Sequence, residues 1–262
     1  VVILNLIQDL LLFVWIPDLA EGEARQSRQV RNDKGMSKII TIDGPVSSGK
    51  NSVGHLLARK LGYQFIDTGS IYRIYALFTL EKKYSTFDLG KIDIKFETHD
   101  HATLIYADGV EISSRLHESK VTKFVPIIAA KEEVRSISKN LQRKIGRLQN
   151  TVMTGRDIGS EIFPDADLKI FLTATPEVRA KRRFEQLKQI NPSITLEDIL
   201  IQIKERDKMD TERKASPMRI PEGAVIIDNS YLTVEDTVER ILTHLAHLRG
   251  ERKKLWTYFL SY

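Results

Sequence analysis

The sequence predicts an α/β fold built on a parallel sheet, and three observations support that prediction. Apolar, strand-like segments alternate with amphipathic, helix-like segments along most of the chain, which is typical of parallel strands covered by helices on both faces. The 262 residues, of which 42% are hydrophobic, suffice for one large core with a small insertion. The first strand also runs through a glycine-bounded loop into a helix, which is the context of a phosphate-binding loop.

The first strand–loop–helix unit, residues 39–58, predicts a phosphate cradle. Gly44, Gly49 and Lys50 have the spacing of the P-loop, in which backbone N–H groups surround a β-phosphate and the lysine reaches the β and γ oxygens. Glycine suits this loop because a Cβ would obstruct main-chain donors, and the next helix adds its positive dipole end. The predicted ATP-phosphate contacts come from Gly44, Pro45, Val46, Ser47, Ser48, Gly49, Lys50, Asn51 and Ser52.

Asn51 departs from the usual P-loop pattern, which has Ser or Thr directly after the lysine to reach magnesium. Ser52 is the nearest hydroxyl, so we expect it to contact Mg²⁺ directly or through water. Val53 and Leu57 follow the helical period, and Gly62 predicts the end of this helix.

The remaining elements follow in alternating order. A short second strand over 64–66 leads into a helix. Residues 91–114 alternate and turn at Asp108-Gly109, which predicts a small antiparallel insertion with a second hairpin strand over 110–113. The other predicted elements are a long helix over 134–148, strands over 151–154, 168–172 and 224–227, and helices that begin at 175 and 233.

The two ends of the chain differ from the rest. Residues 1–17 are apolar, but they are short for a membrane span and lack the basic start and cleavage site of a signal peptide. Residues 21–35 are polar and charged, as in a linker. We therefore expect 1–35 to be a dispensable extension, 36–248 the working domain and 249–262 a tail. The chain has no cysteine, which excludes disulfides and is compatible with the cytoplasmic location that we expect.

Charged residues follow two of the predicted strands. Arg156 and Asp157 come after an apolar strand and should project from its carboxyl end, where ligands bind in open α/β sheets; a surface turn with an incidental ion pair is the alternative. Thr68 and Arg73 follow the second strand near the same edge, although an exposed helix arginine would explain Arg73 equally simply. Arg135, in the first turn of the long helix, is a weaker candidate.

Residues 204–214 form the densest charge cluster. A solvated helix end laced with ion pairs explains this composition. Alternatively, Arg206, Asp210 and Arg213, spaced by four and three residues, share one helix face. There, two arginines flanking a carboxylate could bind phosphates while the carboxylate accepts from a sugar hydroxyl.

The basic character of the chain permits two classes of partner. A net charge of +5 is compatible with a nucleic-acid-binding NTP switch, but we find no basic stripe interleaved with aromatics and no recognisable nucleic-acid motif. Many of the cations, such as those over 179–183, are predicted to lie near the phosphate cradle, so a small polyanionic substrate explains them equally well.

Five motifs, in order, resemble those of bacterial cytidylate kinases: IDGPVSSGK, DTGSIYR, TGRDIG, FPDADLKIFL and IKERD. The resemblance covers roughly residues 38–247. It implies an adenylate-kinase-like P-loop kinase fold: a five-stranded parallel core, a nucleoside-monophosphate-binding region at about 70–150 containing the antiparallel insertion, and a short lid at about 182–214. It also implies Mg²⁺-dependent transfer of the γ-phosphoryl group of ATP to CMP or dCMP. We expect a monomer that binds neither nucleic acid nor membrane.

The resemblance assigns roles to individual side chains. Lys50 would bind the ATP phosphates and Arg182 would lie along the adenine. The predicted catalytic residues are Lys50, Arg156, Arg206 and Arg213. By motif, Thr68, Arg73, Arg156 and Arg213 contact the acceptor phosphate or the transferring group, Arg206 and Asp210 lie near the ribose and phosphates, and Arg135 and Asp157 bind the base.

Pro126 stands where the resemblance places a base-contacting serine. Either the helix start has shifted, or base recognition is looser in this chain.

A second enzyme hypothesis is a related P-loop kinase that acts on AMP, UMP, dTMP or shikimate. No histidine lies in a convincing catalytic motif, and an acceptor phosphate, ionised near neutral pH, needs no general base.

Overall fold

A computed structural model describes residues 37–99, 102–189 and 191–248. The predicted extension 1–35 and tail 249–262 lie outside the described residues. Within those ranges no helix has the length and apolar character needed to cross a bilayer.

The core of the described chain is a five-stranded parallel sheet with the order β2-β6-β1-β7-β8, and β3, β4 and β5 form a separate antiparallel sheet. Both predicted sheets are thereby confirmed. The strands are β1 (Ile39–Asp43), β2 (Gln64–Asp67), β3 (Ile94–Thr98), β4 (Thr103–Ala107), β5 (Val110–Glu111), β6 (Thr151–Gly155), β7 (Leu168–Thr173) and β8 (Val225–Asp228).

Helices cover the parallel sheet, because crossovers between parallel strands are usually helical; the connection from β6 to β7 is the exception and contains only the π-helical turn Ile158–Ile162. The α-helices are α1 (Lys50–Leu61), α2 (Thr68–Leu80), α3 (Ser119–Ala129), α4 (Glu132–Gly146), α5 (Pro176–Leu187), α6 (Leu196–Glu212) and α7 (Val234–Leu248).

The central strand β1 is buried along its whole length and alternates its side chains between two apolar clusters. Ile40 and Ile42 pack with residues of α1 and α7, whereas Ile39 belongs to the cluster beneath α2 and α4. Because β1, β6 and β7 run parallel in register, Asp43 pairs with Gly155 and Phe171. The loops after these strands therefore meet at one edge of the sheet.

A third apolar cluster lies between α5 and α6. Its buried members are Ala180, Ile199 and Ile203, and Val46 of the P-loop packs against them. This cluster attaches the α5–α6 pair to the phosphate loop.

The insertion and its neighbours differ from the sequence prediction in three places. The predicted strand over 110–113 ends at Glu111, because Ser113 begins a 3₁₀ turn and its hydroxyl accepts from the Ile105 N–H. The long helix occupies 132–146 instead of 134–148. The sequence analysis missed α3, which contains Pro126 in its interior. Arg135 thus lies on a different helix from Pro126.

Candidate active site

The loop from Gly44 to Gly49 connects β1 to α1, and its backbone requires glycine at both ends. Gly44 has φ of +150°, and a Cβ there would lie 2.0 Å from the Leu172 carbonyl oxygen. Gly49 has φ of +88°, in the left-handed region, directly before the first residue of α1. These two positions fix the loop around the N-terminus of α1, where backbone donors and the helix dipole favour an anion.

Three carbonyl groups of this loop accept hydrogen bonds from side chains. Lys50 Nζ donates to the Pro45 carbonyl at 2.6 Å, Arg179 Nη1 to that of Val46 at 3.1 Å, and Asn229 Nδ2 to that of Ser48 at 3.0 Å. In a planar trans peptide the next N–H points away from the carbonyl. The side chains therefore orient the Ser47 and Gly49 N–H groups away from Arg179 and Asn229.

Lys50 is buried at the start of α1, and burial lowers the pKa of its ammonium well below the usual value, aided by nearby Arg156. Asp67, Asp43 and Asp210 act in the opposite direction. A bound polyphosphate would add negative charge beside Nζ and raise this pKa. A bound nucleotide would therefore favour the charged form of Lys50, and the P-loop role of Lys50 stays a prediction.

Asn51, rather than Ser52, directs its side chain toward the sheet edge. Its amide donates to Asp67 Oδ2 at 3.0 Å and accepts from the Thr154 hydroxyl at 3.1 Å. Ser52 is exposed. The predicted Ser52 metal contact stays a prediction, and the amide and carboxylate oxygens of Asn51 and Asp67 add two hard ligands that suit Mg²⁺.

No group of three or more His, Cys, Asp or Glu residues is arranged to bind a metal ion within the ranges that the structure describes. The oxygens of Asn51 and Asp67 nevertheless fit Mg²⁺ bound with a nucleotide. In such sites the ion takes one or two protein oxygens and completes its coordination shell with phosphates and water.

Arg182 lies beside the P-loop. Its Nη1 and Nη2 donate to Asn229 Oδ1 at 3.1 Å and to the Asn229 carbonyl at 2.7 Å. Asn229 is buried and itself contacts the P-loop, so Arg182 is connected to the cradle through one side chain. Its predicted position along the adenine is compatible with this placement and stays a prediction.

Asp210 gathers three of the predicted arginines at the end of α6. Arg156 Nε lies 2.9 Å from Asp210 Oδ2, and Arg206 Nε and Arg213 Nη1 lie 3.3 and 3.8 Å from Oδ1. The prediction of one shared helix face is wrong for Arg213, because α6 ends at Glu212 and Arg213 is the residue after it. Arg213 turns back, and its Nε donates to the Ser216 carbonyl.

The ionisation of Asp210 reflects these neighbours. Burial alone would raise its pKa, but Arg156, Arg206 and Arg213 outweigh burial and hold the pKa below its usual value. One buried carboxylate thus keeps three guanidinium groups close together despite their repulsion. Its predicted ribose contact stays a prediction, since both carboxylate oxygens already face arginines.

Arg135 and Asp157 form a buried ion pair, with Nη2 and Oδ2 2.7 Å apart. Arg135 Nη1 also donates to the Ala129 carbonyl, while its Nε is buried without a hydrogen-bond partner among the described residues. The Tyr72 ring centroid lies 5.6 Å from the guanidinium carbon. An unpaired buried donor costs free energy unless a ligand accepts from it. The Arg135–Asp157 pair thus offers a hydrogen-bond donor and a carboxylate acceptor that could bind the edge of a nucleotide base.

Arg73 and Thr68 line the side of the site nearest the insertion. Arg73 Nη1 donates to the Leu116 carbonyl and the Thr122 hydroxyl, both at 3.0 Å. Burial lowers the Arg73 pKa, Asp67 acts in the opposite direction, and repulsion from Arg183 and Arg206 lowers the pKa further. The Thr68 hydroxyl donates to the Thr154 carbonyl, so it would have to leave that bond to donate to a phosphate.

The sequence profile of the cytidylate kinase family matches residues 40–247. The chain belongs to the cytidylate kinase family. A cytidylate kinase from Caldanaerobacter subterraneus subsp. tengcongensis is 40% identical over 205 residues, which are 77% of this chain and 92% of that protein. A cytidylate kinase from Fervidobacterium nodosum is 40% identical over 209 residues, 78% of this chain and 94% of its own.

Several residues that complete the site were not predicted from the sequence. Tyr72 lies within a quoted motif but was not singled out. Arg179 was expected near the phosphate cradle as one of the cations over 179–183, but its bond to a P-loop carbonyl, like that of Asn229, joins distant segments, which no local pattern could show. Asp43, the last residue of β1, is fully buried, and its carboxylate accepts from the Ile158 and Gly159 N–H groups at 2.8 and 2.7 Å.

The burial of Asp43 predicts a measurable pH effect on the stability of the protein. Burial raises its pKa from 3.8 to about 6, against the two backbone donors and Lys50, and Asp157 raises it further. The folded state therefore binds the Asp43 proton more tightly, and this stabilisation, present below pH 3.8, is lost as pH rises through about 6. Relative to Asp43→Asn, the wild type should lose up to about 3 kcal/mol between these limits.

Urea unfolding of both proteins at several pH values from 4.5 to 7.5 would measure this difference. Asp165→Asn, at an exposed ion pair, is the control, and its difference from wild type should vary little. A difference between wild type and Asp43→Asn that stays constant with pH would show that the Asp43 pKa is not raised.

Proposed function

We propose that the protein transfers the γ-phosphoryl group of ATP to CMP or dCMP in pyrimidine nucleotide metabolism, with Mg²⁺ as the divalent ion. Membership of the cytidylate kinase family supports ATP-dependent phosphorylation of a nucleoside monophosphate. The single observation that supports the proposal from this chain's own residues is that two segments leave the same sheet edge: the P-loop with Lys50 follows β1, and Arg156, which pairs with Asp210, follows β6.

The charges explain how two anionic substrates could react. A donor triphosphate and an acceptor phosphate repel each other, and a transferring phosphoryl group spreads negative charge over its oxygens. Lys50 would neutralise the β and γ oxygens, while Arg156, Arg206 and Arg213 would face the acceptor and the transferring group. Fixed cations stabilise such charge without reorganising during the reaction. When bound, Mg²⁺ supplies further positive charge at the β and γ phosphates.

The base site supports cytosine as the substrate base. Cytosine presents an amino donor beside two acceptors, whereas uracil presents a carbonyl in place of the amino group. Asp157 can accept from the amino group and Arg135 can donate to the acceptors. The unpaired Nε of Arg135 supplies a donor that the protein itself leaves free among the described residues.

A substrate panel would test the proposal. ADP formation should be measured by a coupled assay with CMP, dCMP, UMP, AMP, dTMP and shikimate as acceptors. We expect CMP and dCMP to have the highest kcat/KM. Preference for another acceptor would identify a different P-loop kinase, and RNA-stimulated ATP hydrolysis without transfer to any acceptor would overturn the kinase proposal.

Base choice should depend on Asp157. Because the uracil carbonyl cannot donate to the buried Asp157 carboxylate as the cytosine amino group can, wild-type kcat/KM should favour CMP over UMP by at least roughly tenfold. The amide of Asp157→Asn can present either a donor or an acceptor, so this variant should narrow the ratio, mainly by losing CMP activity. Its thermal melt must show a folded protein, since the substitution weakens the buried pair with Arg135.

The control for base choice is Asp165→Asn, which changes the same group at an exposed ion pair with Arg147. Its CMP/UMP ratio should equal that of the wild type. An unchanged ratio in folded Asp157→Asn would show that Asp157 does not bind the base.

Cytoplasmic location and the monomeric state stay predictions.

A further inference from the structure

Arg179 joins three segments of the chain with one guanidinium group. Its Nε donates to the Ala174 carbonyl after β7 at 2.9 Å, and its Nη1 donates to the Val46 carbonyl in the P-loop at 3.1 Å. Its Nη2 lies 2.7 Å from Asp207 Oδ2 on α6. Only 5% of the side chain is exposed, so water competes little for these contacts.

Val46 is attached to the α5–α6 pair by both its backbone and its side chain. Its carbonyl accepts from Arg179, and its side chain packs against the apolar cluster of Ala180, Ile199 and Ile203. A displacement of α6 would therefore act on the P-loop through two connections.

Each end of the Arg179 connection orients groups that we assign to phosphate binding. At the P-loop end, the Val46 carbonyl faces Arg179, so the Ser47 N–H in the same peptide plane points away from it. At the α6 end, Asp207 lies between Arg206 and Asp210 in the sequence of the helix. Arg179 thus connects the cradle for the donor phosphates to the helix that carries the arginine-binding carboxylate.

A purely stabilising role explains this arrangement poorly. Asp207 Oδ1 is buried and has no hydrogen-bond partner among the described residues, so the pair leaves a polar atom unpaired. Apolar residues of similar volume often replace such buried pairs without loss of stability. The planar fork of arginine, with five N–H donors, can bind three acceptors in fixed directions, which a lysine ammonium cannot do.

We propose that Arg179 is a positioning residue that couples the P-loop to α6, so that loss of its partner on α6 weakens ATP binding at the P-loop. The proposal rests on the proposed function only for ATP as the ligand of the cradle. Direct ATP binding, measured without any acceptor, keeps its failure distinguishable from failure of the CMP kinase assignment.

Asp207→Ala is the central test. Asp207 is on α6 and partly exposed, so water can solvate the freed Arg179 nitrogen, and alanine favours the helix. Calorimetric titration with Mg²⁺ATP should show a Kd raised at least roughly fivefold, the lower range of coupling between sites. The control is Glu185→Ala, which removes an exposed carboxylate on α5 that pairs with Lys188, the residue after the end of α5. Its Kd should stay within about twofold of the wild type.

The Arg179→Lys variant distinguishes a positioning role of Arg179 from a purely stabilising one. Lysine keeps the charge but cannot bind Val46 and Asp207 with the same geometry, so the ATP Kd should rise although the thermal melt still shows a folded protein. In Arg179→Lys/Asp207→Ala the Kd should rise no further than in the more affected single variant, because both changes break one connection.

Two results would overturn the coupling. One is a folded Asp207→Ala whose ATP Kd equals that of the wild type, since the contact on α6 would then not act on the P-loop. The other is full additivity of the two substitutions in the double variant. If ATP binding responds as expected but CMP is not phosphorylated, the coupling stands and the substrate assignment fails.

Discussion

Lys50→Met should lower kcat for phosphoryl transfer by ~10²-fold or more, because removal of one preorganised charged donor at the reacting group typically has that effect. Methionine keeps a similar unbranched side chain. It also removes the hydrogen bond from Nζ to the Pro45 carbonyl, which is 2.6 Å long in the structure. The substitution therefore removes both the positive charge that would face the β and γ phosphates and one hydrogen bond that supports the loop.

Lys60→Met is the matched control for Lys50. Lys60 lies on the same helix, is 42% exposed and pairs only with Glu239 among the described residues. Its kcat should be unchanged. Steady-state kinetics with saturating ATP and CMP, together with a thermal melt of each variant, would measure the effect. Near wild-type turnover in folded Lys50→Met would refute the assignment of Lys50 as the P-loop lysine.

Arg156→Ala should also lower kcat by ~10²-fold, with a smaller change in KM. The geometry supports a role in the transition state: Arg156 Nε is bound to Asp210, and 23% of the side chain is exposed. Asp210 thus orients the guanidinium. An interaction made only in the transition state changes kcat, whereas uniform binding changes only KM.

Arg147→Ala, which breaks an exposed ion pair with Asp165, is the control and should leave kcat and KM unchanged. The kinetic constants should be determined with CMP varied at saturating ATP, and then with ATP varied at saturating CMP. A rise in KM for CMP with kcat unchanged would show that Arg156 contributes only to ground-state binding of the acceptor.

The parallel sheet and the phosphate loop were predictable from sequence because their signals are local. Gly44 and Gly49 mark backbone conformations that other residues avoid, and the apolar strand before them is continuous in sequence. The hairpin at Asp108-Gly109 is similarly local, and the turn was predicted correctly although the second strand is shorter than expected. Family membership, carried by five motifs in order, was also confirmed.

The rest of the site depends on contacts between distant segments. Asn229 binds a P-loop carbonyl across 181 residues of sequence, and Asp43 accepts from backbone groups 115 and 116 residues away. No periodicity reports such pairs. The partner of Arg135 was also unpredictable: Asp157 was expected to bind the same base, but the two side chains bind each other.

The end of α6 shows how local spacing can mislead. The four-and-three spacing of Arg206, Asp210 and Arg213 predicted a helix face, yet the helix stops before Arg213. The three side chains still meet, since Arg213 returns to Asp210 from beyond the helix end. The α3 helix was not predicted, and it contains Pro126 in its interior, where proline is normally unfavourable.

Sharing one carboxylate among Arg156, Arg206 and Arg213 makes these arginines interdependent in evolution and in engineering. Removing one relieves repulsion between the other two and leaves each a larger share of Asp210, so the cost of a second removal differs from that of the first. Single-site scans would therefore misjudge combined variants of this cluster. A new acceptor specificity would have to be selected with the arginines and Asp210 changed together, because the cluster acts as one electrostatic unit.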